Sequence, residues 1–434
     1  MVNHLIQNCI ILAISLFALT GCAGQATVEQ PIQDSPTVTT TAVGGAQGLP
    51  LGTPTPSGPT VLMVWLPEPL VPMSSREVAV DIAQQITAFE AGEPDVLVET
   101  RLKKTRDIGG IMETLRTAST VAPGALPDLT LLRREDLLTA VQGGLIQPLD
   151  ERAFSAHLAD LYPAAIELGT VNGQLYGLPY ALEVSHLAYF ADSPDEPIWQ
   201  FADILTNDQA FVFAAGRSSG LNDVVLIQYM AAGGTSVDGR LGSINSGALR
   251  STLDFYEQAV TAGLLSSSLL DFTTPANFSS GLGDGSIRAA VITSTQYLAS
   301  LGDLPDLQAA PIPTESGEFS TMLDGWMWVV VTSNIERQTA AVRFLNWMLD
   351  VERQGHFTQI THLVPSQRDA VLRRWESAPY NEFINNLMDH AVIPLIGGGG
   401  GVAARAVQSA FAAVLQGQRT AEEATQDVLD QVGS

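Results

Sequence analysis

Apolar positions along the chain change their period at intervals, and those changes mark the expected elements. Val61-Leu62-Met63-Val64-Trp65 is a continuous apolar run of buried-strand length. From about Ser75 to Ala91, the residues Val78, Ile82, Ile86 and Phe89 recur three or four positions apart, which predicts a helix with one buried face. Asp95 to Leu102 alternates as a strand, a second helix is expected from about Ile108 to Ser119, and residues 127–132 (PDLTLL) give a third strand. A helix from Glu135 to Gln142 stops at Gly143-Gly144, the glycine signal of a helix C-terminus. This order predicts a mostly parallel sheet with helices on both faces.

Gly173 to Phe190, GQLYGLPYALEVSHLAYF, breaks the alternation. Gly173 and Gly177 permit turns, Pro179 pushes Leu178 towards extended backbone, and Leu182 to Tyr189 has the length of a buried strand. Glu183 interrupts that apolar run. A carboxylate is costly to bury alone, so Glu183 either faces a wet cleft or is paired. A second alternation follows: a strand at Phe211 to Ala215, a helix at Leu221 to Ala232 stopped by Gly233-Gly234, and an amphipathic helix at Leu249 to Ala262 ended by Gly263. The chain therefore reads as two lobes, with 173–190 as the crossing between them.

Composition narrows the functional classes. With 434 residues and 46% hydrophobic content, the chain can bury a sizeable core and is most simply two domains. A net charge of −25 argues against nucleic acid, whose phosphates are bound by clustered cations. Lys103 and Lys104 are the two lysines; the other cations are arginines scattered as on an ordinary surface. The N-terminus reads as a targeting signal. Its apolar run from Cys9 to Leu19 is too short to span a bilayer. It ends in Leu19-Thr20-Gly21-Cys22, which resembles the bacterial lipobox, where Cys22 is lipidated and residues 1–21 are removed. Residues 22–60, rich in Thr, Pro and Gly, are expected to form a flexible tether. With Cys9 removed and Cys22 lipidated, no disulfide remains to the mature chain.

The crossing also carries a resemblance. Asn172-Gly173-Gln174-Leu175-Tyr176-Gly177-Leu178-Pro179, followed by a strand ending in Tyr189, resembles the crossover of the maltose/oligosaccharide-type extracellular solute-binding proteins of ABC importers. The family usually has Asn after that Tyr; here it is Phe190. Further segments fit in order: Gly143-Gly144-Leu145 with Pro148-Leu149, the return FSSGLGDGSIRAAVIT at 278–293, Gly325-Trp326-Met327-Trp328, a helix from Arg337 to Leu349, and the closing helices around Val407 to Leu415 and Thr420 to Ala424. The resemblance covers about residue 61 to the end. It implies an α/β, two-lobed periplasmic-binding-protein-like fold (type II), each lobe a mostly parallel sheet with helices on both faces, with a hinge between lobes. The expected boundaries are 61–180 plus about 286–325 for lobe 1, and 181–285 plus about 326–434 for lobe 2. It further implies a monomer anchored by lipid outside the membrane, which captures a small polar solute, foremost a sugar, for an ABC permease. It implies no enzymatic activity, and no cofactor or metal is expected.

Candidate ligand contacts follow from strand ends and adjoining loops, where α/β sheets bind ligands. They are Trp65 and Glu68 after the first strand, Arg133 and Glu135 after the third, and Tyr180 and Glu183 in the crossover. Asn222 and Asp223 stand at the helix start after the GRSSG loop, Gln296 and Tyr297 follow the return strand, and Asp324 and Trp326 complete the set. Trp65 serves equally well as core, and Asn222 and Asp223 equally well as helix caps. Trp326 is the foremost choice, as an exposed indole face for a sugar ring beside a carboxylate. One of Trp326 and Trp328 is expected to face the core, and Trp328 is assigned there.

Rival chemistry is present but thinner. Gly216-Arg217-Ser218-Ser219-Gly220 satisfies G-x-S-x-G between a strand and a helix, so a serine hydrolase using Ser218 is one alternative, although no HGGG-type oxyanion segment precedes it. A ligand-loaded sensor subunit is another. The six histidines form no HExxH pair, and DSPDEP at 192–197 lacks the Gly and closing Glu of a calcium loop. The glycines at 397–401 make either a plain loop or a set of bare amides at a helix start.

Overall fold

The computed structural model describes residues 58–72, 75–191, 199–217, 220–237, 239–374, 377–395 and 401–433. The signal segment, most of the tether, Cys22, Ser218, the 192–197 segment and Gly397 to Gly400 lie outside the described residues.

Strand β1 (Thr60–Pro67) pairs in parallel with β2 (Val96–Lys103) on one side and β3 (Leu129–Leu132) on the other. Between them, α1 (Arg76–Gly92) begins where the Ser75 hydroxyl accepts the Val78 amide, and it buries Val78, Ile82 and Phe89. These are three of the four residues whose spacing predicts that face; Ile86 packs against the same core from a partly buried position. After β3, α2 (Arg134–Gln142) opens with Arg133 at its cap and carries two acids in its first turn, as the helix dipole favours.

The crossover becomes one 13-residue strand, β4 (Leu178–Phe190). It pairs antiparallel with β7 (Thr321–Val330) along its first half, and with β5 (Ala289–Thr293) and β6 (Leu307–Ala310) along its second. The resulting sheet runs β6-β4-β7-β3-β1-β2, with β5 also on β4. Thus β4 and β7 are common to both halves. At Gly325 the two strands approach so closely that a Cβ would lie 2.6 Å from the Ala181 carbonyl oxygen, which only glycine tolerates. Register shifts just beyond it: Trp326 faces Ala181 but Met327 faces Pro179, leaving Tyr180 as the extra residue of a bulge.

Three apolar clusters cover the sheet. One joins β1 and α1 to Trp326, Trp328 and helix α5 (Ile335–Met348). A second joins Leu187 and Tyr189 to Phe211, Phe213 and three helices, α3 (Asp223–Ala231), α4 (Ser246–Thr261) and α7 (Gly401–Leu415). The third runs along the shared strands through Leu182, Val184, Leu323 and Met327 to Tyr380 of α6 (Ala378–Asp389).

Two expectations differ from this arrangement. The sequence boundaries assign 286–325 to the first lobe, but β5 and β6 pair with the far half of β4. They assign everything from 326 onward to the second, but α5 shares the core of β1 and α1. Each central strand serves both halves, so no turn or composition break marks where the chain changes sides. The strand expected at 211–215 reduces to one bridge, Val212 with Ala290, because Gly216 already turns away to donate its amide to the Phe272 carbonyl.

Candidate ligand-binding site

A cavity of about 610 Å³ opens where β4 and β7 pass from one half to the other. Side-chain alternation explains which strand residues reach it. Glu183 and Ser185 on β4 line it, whereas Val184 and His186 between and beyond them are buried. On β7, Met322, Asp324 and Trp326 line it at the same two-residue spacing. Arg133, Glu135 and Asp136 enter from the start of α2; Arg217, Leu221 and Asp223 enter from the loop and first residue of α3.

The register sets Glu183 directly opposite Asp324. Like charges in facing positions repel, and Arg133 resolves the conflict. Its Nε donates to Asp324 Oδ2 at 3.1 Å, and its Nη2 lies 2.8 Å from the same oxygen and 3.4 Å from Glu183 Oε1. Burial pulls the Arg133 guanidinium down, and the fields of Asp324 and Glu183 more than offset this, leaving its pKa raised. Its Cζ also stands 5.7 Å from the centre of the Trp326 ring, within cation–π range. Beyond that ring lies a second chamber of about 320 Å³, lined by Leu70, Val78, Ile360 and Leu363 and sharing Arg133, Glu183 and Trp326 with the first.

The opposite wall is built from a loop and a helix start. Arg217 Nη2 donates to Asp223 Oδ1 at 2.8 Å and Nε to the Leu221 carbonyl at 3.3 Å. Enclosure raises the Asp223 carboxyl, Arg217 opposes that rise, and Asp324 across the cavity adds to it. Asp136 is likewise raised, first by burial and then by Glu135.

Of the residues singled out in the sequence, Arg133, Glu135, Glu183, Asp223, Asp324 and Trp326 line this cavity. Glu135 stands at its exposed edge, 3.8 Å from Arg106. The others stand elsewhere. Trp65 is core at 2% exposure, capped by Lys103 Nζ at 4.4 Å. Glu68 falls outside the lining while its neighbour Pro69 belongs to it. Tyr180 is fully buried between Trp328 and Phe357, carried there by the bulge. Asn222 is a helix cap: its Oδ1 accepts the Val225 amide, and its Nδ2 donates to Gln408 Oε1. Gln296 closes a capping box with Thr293, and the Tyr297 hydroxyl donates to the Leu307 carbonyl at 3.1 Å.

Trp326 differs from its expected role as well. It is only 6% exposed and shares one core cluster with Trp328, because residues two apart on a strand share a face. Ser185, Met322, Thr293 and Arg217 were not anticipated at the cavity. Two carried a legible signal, since Ser185 and Met322 each lie two residues from a predicted carboxylate. Arg217 sits inside GRSSG, where Ser218 draws the attention.

Among the described residues, no group of three or more His, Cys, Asp or Glu side chains is placed to hold a metal, and no helix is long and apolar enough to cross a membrane. Comparison with known proteins places the arrangement. Residues 84–382 match the family described as bacterial extracellular solute-binding protein. The cyclic α-maltosyl-1,6-maltose binding protein from Arthrobacter globiformis superposes with a TM-score of 0.66 at 16% identity, over 86% of this chain and 98% of that one. The sugar-binding protein MalE from Xanthomonas citri gives 0.64 at 17%, over 86% and 96%. Maltose-bound MalE3 of T. maritima gives 0.59 at 15%, over 86% and 99%. At such identities the likeness establishes the fold. A sequence search of the curated proteins found no match.

Proposed function

The chain belongs to the bacterial extracellular solute-binding protein family, whose members bind rather than transform their ligands, and from that premise we propose that it captures a small polar solute, foremost an oligosaccharide, for an ABC permease. The observation that carries this reading is the cavity itself. Arg133, Glu183, Asp324 and Trp326 approach from one side and Arg217 and Asp223 from the other, so one solute touches both halves. The binding of sugars by the structural neighbours supports the solute class.

Mechanistically, the two halves act as lobes hinged at β4 and β7. A solute bridging them favours the closed form, and moving closure from 1:99 to 99:1 requires about 5.5 kcal/mol of differential affinity. Several hydrogen bonds to charged groups, each worth about 1.5–3 kcal/mol, reach that sum. The permease then reads the closed form. The lipid on Cys22 holds the protein at the outer face of the membrane, with 23–60 as its tether.

A thermal-shift screen of sugars and other polar metabolites on the full chain, followed by calorimetry, tests the capture step. Stabilisation that scales with solute concentration supports it; a flat response to every carbohydrate removes the sugar reading. For the anchor, Cys22→Ser should release the protein from membranes, and retention of the variant in the membrane fraction would refute lipidation there.

A further inference from the structure

The charges around the cavity do not cancel: five carboxylates face four guanidinium groups. More telling is how the guanidinium groups are engaged. Arg133 is shared between Glu183 and Asp324, so that triad keeps a net negative charge. Arg217 is held by Asp223, and Arg106 lies beside Glu135 at the exposed edge. Arg134 is buried, with Nη1 donating at 2.7 Å to the carbonyls of both Leu168 and Thr170. Among the described residues no side-chain hydrogen bond or close ion pair holds the Asp136 carboxylate, which feels the Arg106 and Arg133 charges only at a distance. An incoming anion must therefore break an existing pair, whereas an incoming cation need break none. The Trp326 ring in the wall between the chambers already has the Arg133 guanidinium 5.7 Å from its centre, so a solute cation is met by the carboxylates rather than by the ring.

We propose that the solute carries a protonated nitrogen beside its hydroxyls, as an amino sugar does, and that this cation sits between Asp223 and the facing pair Glu183 and Asp324. The proposal rests on the reading of this cavity as the solute site. It also explains how the empty protein stays open. Asp223, paired through one oxygen with Arg217, belongs to one half, and Glu183 and Asp324, which share the single Arg133, belong to the strands it faces, so closing an empty cavity encloses their surplus negative charge. The field of Asp324 already acts on Asp223, whose carboxyl is raised by enclosure first. A cation between them turns that repulsion into attraction. A neutral sugar can satisfy the same acceptors but leaves the surplus charge enclosed and uncompensated, which a closed cavity penalises.

Isothermal calorimetry on the full chain at mildly acidic pH, where the amine is protonated, provides the test. The probes are the β-1,4-linked disaccharide of glucosamine, its N-acetylated counterpart and maltose. The amine form should bind about 10–100-fold more tightly than the acetylated form, the ratio given by one charge-assisted hydrogen bond. Asp223→Asn should draw that ratio towards one. If the acetylated or plain sugar binds as tightly as the amine, the charge argument falls while the solute-binding reading stands. If none of the three binds, the proposal falls together with the carbohydrate reading beneath it.

Discussion

Glu183 and His186 stand three residues apart on β4 and meet opposite surroundings. Glu183 faces the cavity with Arg133 and Asp324, and its charge is answered by another charge. His186 is sealed inside against the rings of Tyr297, Tyr380 and Phe383. Its Nδ1 lies 3.0 Å from the Leu187 carbonyl, so that nitrogen carries the proton and donates, while Nε2 accepts from the Tyr380 hydroxyl at 3.0 Å. Among the described residues no anion compensates a charge there, and burial pushes the His186 pKa down to about 4. One strand thus solves the problem of a buried ionisable group in both available ways, by pairing on the wet face and by neutrality on the dry one.

Trp326 tests where the boundary between the two faces runs, and it carries the largest expected effect. Trp326 lines the cavity, yet it is only 6% exposed and packs in the core cluster with Trp328. Trp326→Ala should therefore cost about 3–5 kcal/mol of stability, as for a buried aromatic, in addition to weakening any solute. Urea unfolding measures this. A loss below about 1 kcal/mol would move Trp326 to the wet face.

The dry face makes the next prediction. The folded pKa of His186, about 4, lies below its ordinary value of 6.5, so the unfolded chain binds the proton more tightly. The contribution is complete above about pH 6.5, declines as pH falls, and is lost by about pH 4, a change of about 3 kcal/mol. His186→Gln, which keeps an acceptor for Tyr380, should remove that part of the acid sensitivity. An unchanged slope of stability against pH between those limits would contradict the assignment.

Much of this contrast was legible beforehand, because a carboxylate interrupting an apolar run announces either a cleft or a partner, and Glu183 has both. Asp324 was readable for the same reason, as a carboxylate interrupting the apolar β7, and Arg133 as a charge just past the end of β3. Tyr180 was not, since a bulge reverses the face of a side chain and a bulge depends on the register with a strand far along the chain. Asn222 was ambiguous in principle: a side chain that caps a helix and one that holds a hydroxyl use the same oxygen. The parallel order of the first three strands followed from their alternation with helices, whereas the division of β4 and β7 between two halves leaves no local mark. Trp326 and Trp328 could have been placed together from their two-residue spacing alone.

The smallest expected effect probes the wet face by double substitution. Arg133→Met leaves Glu183 and Asp324 opposed without their shared cation, in side chains 23% and 29% exposed. Partial solvent screening holds the loss to about 1–2 kcal/mol, less than for a fully buried pair. If the loss arises from repulsion between the two carboxylates, then Glu183→Gln added to Arg133→Met should recover about 1 kcal/mol. Glu183→Gln alone should be nearly neutral, because Arg133 keeps its closer contact with Asp324 at 2.8 Å. Chemical denaturation of the four proteins closes the cycle. A double variant no more stable than Arg133→Met would mean that the guanidinium acts by packing against Trp326 rather than by separating two like charges, and the wet face would then resemble the dry one more closely than its ionic lining suggests.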